Sequence, residues 1–177
     1  MAADLKPFRD YDEHDVINLF ATDTIPMNKG TVVRVTTGVK ADDVVNNLAG
    51  APGAAYGNTV SERWAVVGHV TPWVSGQTAL GMALYDTKET DENGEKYIFN
   101  PRKAKEAQVL LSGQPVPLVK RGRFFLSGVA GGPTAGAAAY LDDTGTGTLS
   151  PTGLTRVGQF LGGKDADGWT LVELNID

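Results

Sequence analysis

The chain has 177 residues, enough for one domain with a sizeable core and too few to suggest two. Its 41% hydrophobic and 21% charged residues make a globular balance, and 22 Gly plus 9 Pro point to many turns and short strands, hence an all-β fold rather than a helical bundle. A net charge of −5 argues against nucleic acid as the main partner, and the lack of Cys excludes disulfides, thiolate zinc sites and a Cys nucleophile.

The first residues, MAADLKPFRDYDEHD, are acidic where a secretory signal would be basic and then apolar. No apolar run approaches the ~18 residues of a membrane span. The expectation is a soluble protein made in a cytoplasm, with no membrane partner. Residues 1–28 read as an N-terminal arm, and residues 29–177 as the folded domain. Asp10, Asp12, Glu13 and Asp15 lead into Val16, Ile17, Leu19 and Phe20, after which residues 22–26 break any regularity. Val16, Leu19 and Phe20 would share a helical face, but a single turn of helix is marginal alone. Apolar side chains on a loose terminus need cover. Either the arm packs on its own domain, or Val16, Ile17, Leu19 and Phe20 bind a partner, and the arm crosses onto a neighbouring subunit.

Residues 31–37 are β-branched almost throughout and alternate as a strand does. Residues 41–48 are a candidate short helix, and residues 49–58 (AGAPGAAYGN) a loop. Residues 61–71 return to strand pattern, and Leu80, Met82 and Leu84 alternate with Gly81, Ala83 and Tyr85 in another strand. Asp91-Glu92-Asn93-Gly94 is a turn signal. Residues 101–108 (PRKAKEAQ) are the helix candidate, with Pro first and good helix formers after it, although the cationic start opposes the helix dipole.

Residues 110–129 (LLSGQPVPLVKRGRFFLSGV) hold the densest apolar run. Val116 and Leu118 share one parity, as do Phe124 and Leu126, so the stretch reads as strand, tight turn or Gly bulge, strand. The cluster Lys120, Arg121 and Arg123 then falls on a hairpin tip. It is either simply solvated or a contact for an acidic partner surface. Residues 137–141 and 148–150 are short strands around DDTGTG. Residues 156–161 and 169–176 make a final pair, with Val172, Leu174 and Ile176 as its apolar face. Ser-Gly closes three apolar runs, at Ser75, Ser112 and Ser127, which is turn chemistry.

Catalytic and metal patterns are weak throughout. Glu89, Asp91, Asn93 and Gly94 match the first half of a calcium loop, but the twelfth position is Asn100 rather than a bidentate Glu. Asp165-Ala166-Asp167-Gly168 reads as a turn. His14 and His69 show no spacing for joint ligation. There is no G-x-S-x-G, no Ser-x-x-Lys and no phosphate-binding Gly motif with a βαβ unit around it. Neither an enzymatic activity nor a cofactor is expected.

The run GGPTAGAAAYLDDTGTGTLS, followed by RVGQFLGGKDADGWTLVELNI, resembles the C-terminal part of the head decoration (cement) proteins of tailed bacteriophages. The matching residues are Gly136-Ala137, Tyr140, residues 147–150 (GTLS), residues 157–161 (VGQFL) and residues 172–174 (VEL). The YDEHDVINLFA, LYDTKETDENGEK, LSGQPVP and VKRGRFF pieces are similar to marine or cyanobacterial phage virion proteins of that kind. The resemblance implies a small β-barrel or β-tulip domain with an N-terminal arm, bound outside the capsid. It would be a homotrimer on the major capsid protein, bind no nucleic acid and act mechanically. The acidic charge suits that outer position. Other classes compatible with the residues are a tail-tube or head-fibre protein, a carbohydrate-binding β-sandwich and an unrecognised hydrolase. The carbohydrate class would need aromatics in a row, but Trp64, Trp73 and Trp169 are scattered.

Overall fold

The computed structural model describes residues 4–9, 13–38, 68–142, 144 and 146–177. The helix expected over 41–48, the loop over 49–58 and the first part of the strand expected over 61–71 lie outside these.

The fold is all-β. Sheet A has six strands, in the order β1 (Asp4–Arg9), β10 (Arg121–Ser127), β14 (Thr170–Asn175), β13 (Arg156–Phe160), β11 (Ala138–Leu141) and β12 (Leu149–Ser150). Sheet B runs β2 (Val16–Ile17), β9 (Leu118–Val119), β6 (Gly81–Ala83), β4 (Val32–Thr37), β5 (Gly68–Pro72) and β3 (Phe20–Thr22). A third, two-stranded pairing joins β7 (Asp86–Thr87) to β8 (Val109–Leu110) in parallel. Among the described residues the pairings of the two large sheets do not close a barrel, and the sheets pack as layers around a shared core.

Sheet B is the middle of the packing. Its strands are short and β-branched or small, and successive residues point to opposite faces. Val16, Val119, Met82 and Val32 are register partners across four strands, and all face sheet A. There they meet Leu5, Phe124, Leu126, Leu141, Phe160, Val172 and Leu174 in the main core. One residue along, Ile17, Leu118, Ala83 and Val33 face the other way. They form a second core with Met27, Val70 and Val116. A central strand such as β6 is therefore buried at every position. Sheet A covers only one side, so its strands alternate buried and partly exposed residues.

Residues 118–127 hold the two sheets together. The expected turn at the basic cluster does not form. Instead β9 ends in sheet B, one residue intervenes, and β10 begins in sheet A. That residue is Lys120. Its N–H donates to the Asp15 carbonyl (2.9 Å), and its carbonyl accepts from the Ile176 N–H (2.9 Å). A sandwich corner made by a strand that changes sheet has no composition of its own, and the Gly within the cluster imitates a turn.

Residues 4–9 and 13–28 are also not an arm set apart from the domain. β1 pairs antiparallel with β10 (Leu5↔Leu126), β2 pairs with β9, and β3 pairs in parallel with β5. Leu5, Ala21 and Met27 are buried, and Lys29 reaches back to Asp4 at 3.0 Å. Separation in sequence, about 120 residues between β1 and its partner, hid this pairing.

Local chemistry matches expectation elsewhere. The glycines of all three Ser-Gly pairs have left-handed backbones, with φ of 81° at Gly76, 81° at Gly113 and 73° at Gly128. The final pair forms as β13 and β14, joined by a turn in which the Asp165 carboxylate accepts from the N–H groups of Asp167 and Trp169. Between β7 and β8 the chain makes an excursion with its own small core of Tyr97, Ala104 and Val109. Its helix, α1 (Pro101–Glu106), is capped by Asn100, whose Oδ1 accepts from the Lys103 N–H. The unfavourable cationic start is relieved by pairing, Arg102 with Glu106 and Lys103 with Asp91 and Glu95. The Asp91 turn at the base of this excursion is a hairpin turn, with Asp91 Oδ1 accepting from Asn93 and Glu95 N–H groups.

Leu5→Ala is expected to cost about 2–5 kcal/mol, the usual loss for emptying a buried Leu site. Removal of residues 1–20 should abolish a cooperative unfolding transition rather than leave an intact domain. Urea denaturation followed by circular dichroism checks both, and an unchanged midpoint in the shortened chain would show that β1 and β2 are dispensable.

The hydrogen bond from Lys103 holds the Asp91 carboxyl below its ordinary value of 3.8, helped by the Glu95 and Asn93 N–H groups and opposed by burial. A depressed carboxyl stabilises the fold above its ordinary value and loses that contribution as pH falls through the lowered one. The amide resonances of Asn93 and Glu95 should therefore titrate with a midpoint below 3.8, and Asp91→Asn should remove that transition.

Candidate functional site

On the outer face of sheet A, strand register assembles side chains that are far apart in sequence. Arg123 on β10 stands opposite Glu173 on β14, and Glu173 stands opposite Gln159 on β13. Two residues along, Arg121 stands opposite Asn175. These are the outward positions, alternating with buried Phe124, Val172 and Leu174. Together with Asp15, Arg156 and Asp177 they line an open depression of about 740 Å³. Each has a planar head with paired donors or acceptors, namely a guanidinium, a carboxylate or a carboxamide.

Charge in the depression balances, with three arginines against Asp15, Glu173 and Asp177. Arg121 pairs with Asp177 at 2.9 Å, and Arg123 with Glu173 at 3.1 Å. Arg156 makes no ion pair among the described residues; its Nε donates a long bond, 3.4 Å, to the Gly158 carbonyl. Gln159 is fixed by donating to the Gly136 carbonyl at 2.9 Å. The register of β11 against β13 shifts between Ala139 and Tyr140, so that Ala139 faces Gly158 and Tyr140 faces Arg156. Such a bulge turns a strand and re-aims its side chains. Gly158 is needed there, because a Cβ would collide with the Glu173 carbonyl oxygen.

Beyond this polar array, on the same face, lies an apolar row. Lys6 on β1 stands opposite Phe125, and Phe125 opposite Leu171. Leu161 donates its N–H to the Leu171 carbonyl, and the Lys6 ammonium lies 4.0 Å from the Trp169 ring centre.

The residues picked out from sequence divide into two groups. Val16 packs against the main core, and Ile17 and Phe20 against the second core. Only Leu19 of that set is well exposed, at 59%. The segment's own domain thus supplies most of the cover that a partner was expected to give. Of the basic cluster, Arg121 and Arg123 come together in the depression, while Lys120 sits at the sheet crossing and does not line it. Arg156, Gln159, Glu173 and Asn175 were missed. Glu173 and Asn175 alternate with Val172 and Leu174, which marks them as outward, but Arg156 and Gln159 differ in parity and share the face only through the bulge in β13.

Other groups do not converge. His69 pairs with Asp23, which also accepts from Thr36 Oγ1 at 3.0 Å. His14 precedes β2, and β9, β6 and β4 separate that strand from the strand of His69. Among the described residues no three His, Asp or Glu side chains gather closely enough to hold a metal ion, and no helix is long and apolar enough to cross a membrane.

No protein-family profile matches the chain, and a search of curated proteins finds no match either.

Changing Lys120, Arg121 and Arg123 together to Gln should move the melting temperature by only a few degrees. The pairs of Arg121 with Asp177 and of Arg123 with Glu173 are solvated, and exposed pairs contribute about 0–1 kcal/mol each. A collapse of the fold in a thermal melt would instead make the cluster structural.

Proposed function

We propose that the protein is a structural virion component that binds the outer surface of a tailed-phage capsid and stabilises the head lattice. The observation that carries this reading is the position of the resembling residues in the fold. Gly136 and Ala137 lead into β11, Tyr140 lies on it, and residues 147–150 return the chain into β12. Residues 157–161 cover most of β13, and residues 172–174 lie on β14. These four strands are consecutive neighbours in sheet A, in the order β14, β13, β11, β12. The similarity therefore belongs to one packed block and not to scattered turns.

On this reading the protein acts without chemistry. A homotrimer bridging neighbouring copies of the major capsid protein binds the mature lattice better than any earlier state, and each occupied site stabilises that lattice by mass action. The exposed part of the contact would use Arg121 and Arg123, with Leu19 as the apolar residue left uncovered at the end of the N-terminal segment. Val16, Ile17 and Phe20 would support that segment from below.

The test is co-expression of the chain with the major capsid protein encoded in the same genome. Sedimentation should carry the protein with the assembled heads, and electron microscopy should find it as projections on their exterior. Light scattering on the protein alone should give a trimer. Open rings or tubes of the protein by itself, or heads that sediment without it, would overturn the reading in favour of another virion part or none.

A further inference from the structure

The arginines of the sheet A depression are not equivalent. Arg121 and Arg123 are each neutralised by a carboxylate of the same chain, whereas Arg156, exposed on the same wall, has no carboxylate within ion-pair distance among the described residues. Asp15 is the remaining acid of the lining, and among the described residues it makes no ion pair either. Arg156 also sits where the register shift redirects β13, next to a glycine that cannot be enlarged. Its position is thus built by the backbone. Arg156 apart, the lining holds two arginines against three carboxylates, so a polyanion such as nucleic acid would meet Asp15, Glu173 and Asp177 as it approached, which argues against it.

We infer that Arg156 is the specificity-determining residue of this face and receives a single carboxylate from an extended segment of a partner protein, which lies across β13, β14 and β10. Charge complementarity selects the carboxylate. A guanidinium fork matches one bidentately, and the planar heads of Gln159 and Asn175 beside it suit the amides of an extended main chain. The apolar row of Phe125, Leu171 and Leu161 runs parallel to the polar one and can seat an apolar side chain of the same segment. Naming this segment as part of the capsid rests on the reading proposed above. The carboxylate specificity of Arg156 does not.

The experiment follows the arginine Nε–Hε resonances of ¹⁵N-labelled full-length protein. The probes are the blocked tripeptide acetyl-Ala-Glu-Ala-amide, its Gln counterpart and galacturonic acid. The Arg156 resonance should shift saturably with the Glu peptide, little with the Gln peptide, and more than those of Arg121 and Arg123. Arg156→Gln should abolish saturation at an unchanged melting temperature, and Arg156→Lys should restore it only in part, because an ammonium lacks the fork. Equal shifts at all three arginines, or with the Gln peptide, would overturn the assignment. Tighter binding of the sugar acid than of the Glu peptide would overturn the choice of a protein segment. With co-expressed heads, Arg156→Gln should weaken sedimentation binding about tenfold and flatten its salt dependence. Heads that never bind the unsubstituted protein, beside a normal peptide response, would remove the capsid and leave the carboxylate site.

Discussion

One uninterrupted length of chain, residues 118–127, belongs to both sheets, and most of the architecture follows from that fact. Leu118 and Val119 supply one residue to each core, and two positions later the same strand is pairing with β14. The corner has no spare residue to absorb an error. Its one intervening peptide is held from both sides, by the strand leading from Asp15 and by the end of β14 at Ile176. The N-terminal segment, the middle of the chain and the C-terminal strand are thus fixed relative to one another at Lys120. Since a one-residue slip would send each buried side chain to the opposite face, the crossing also fixes which residues of sheet B face which core.

The two-sided burial of sheet B has a counterpart in sheet A, which faces solvent with a whole side. That side is free to carry function because the other side carries the packing. Phe124, Val172 and Phe160 anchor the strands, and the residues between them are set at regular spacing on a surface whose backbone cannot easily move. The depression owes its outline to this regularity and to two local departures from it, the bulge in β13 and the glycine at 158.

What was legible in the sequence was local. The alternation of residues 31–37 and 169–176, the left-handed glycines after Ser75, Ser112 and Ser127, and the helix opened by Pro101 depend on residues within one or two turns of each other. What was not legible depended on distance. β1 has a β-strand partner that lies beyond most of the chain, so Asp4–Arg9 looked unattached, and Val16, Ile17 and Phe20 looked uncovered. At Lys120 a local signal pointed the wrong way, because a glycine flanked by arginines is the composition of a tip, while the backbone there passes from one sheet into the other. The candidate site was half visible for the same reason: Arg121 and Arg123 stand out as charges, but only strand register sets Glu173 and Gln159 beside them and shows that Arg156 lacks what they have.

The pairing of β1 with β10 also bears on the order in which the protein can assemble. Asp4 meets Ser127, so β1 has no β10 to pair with until roughly 120 further residues have been made. At about 5–20 residues per second that is a wait of roughly 6–24 seconds. Sheet B is better placed to begin, since β4, β5 and β6 pair over shorter stretches of chain. When β9 joins them it delivers β10 at once, and β14, made later still, can then close the ladder. β1 is consequently among the last elements to be folded in, and until then its unpaired edge and Leu5 depend on the nascent chain being kept from its neighbours.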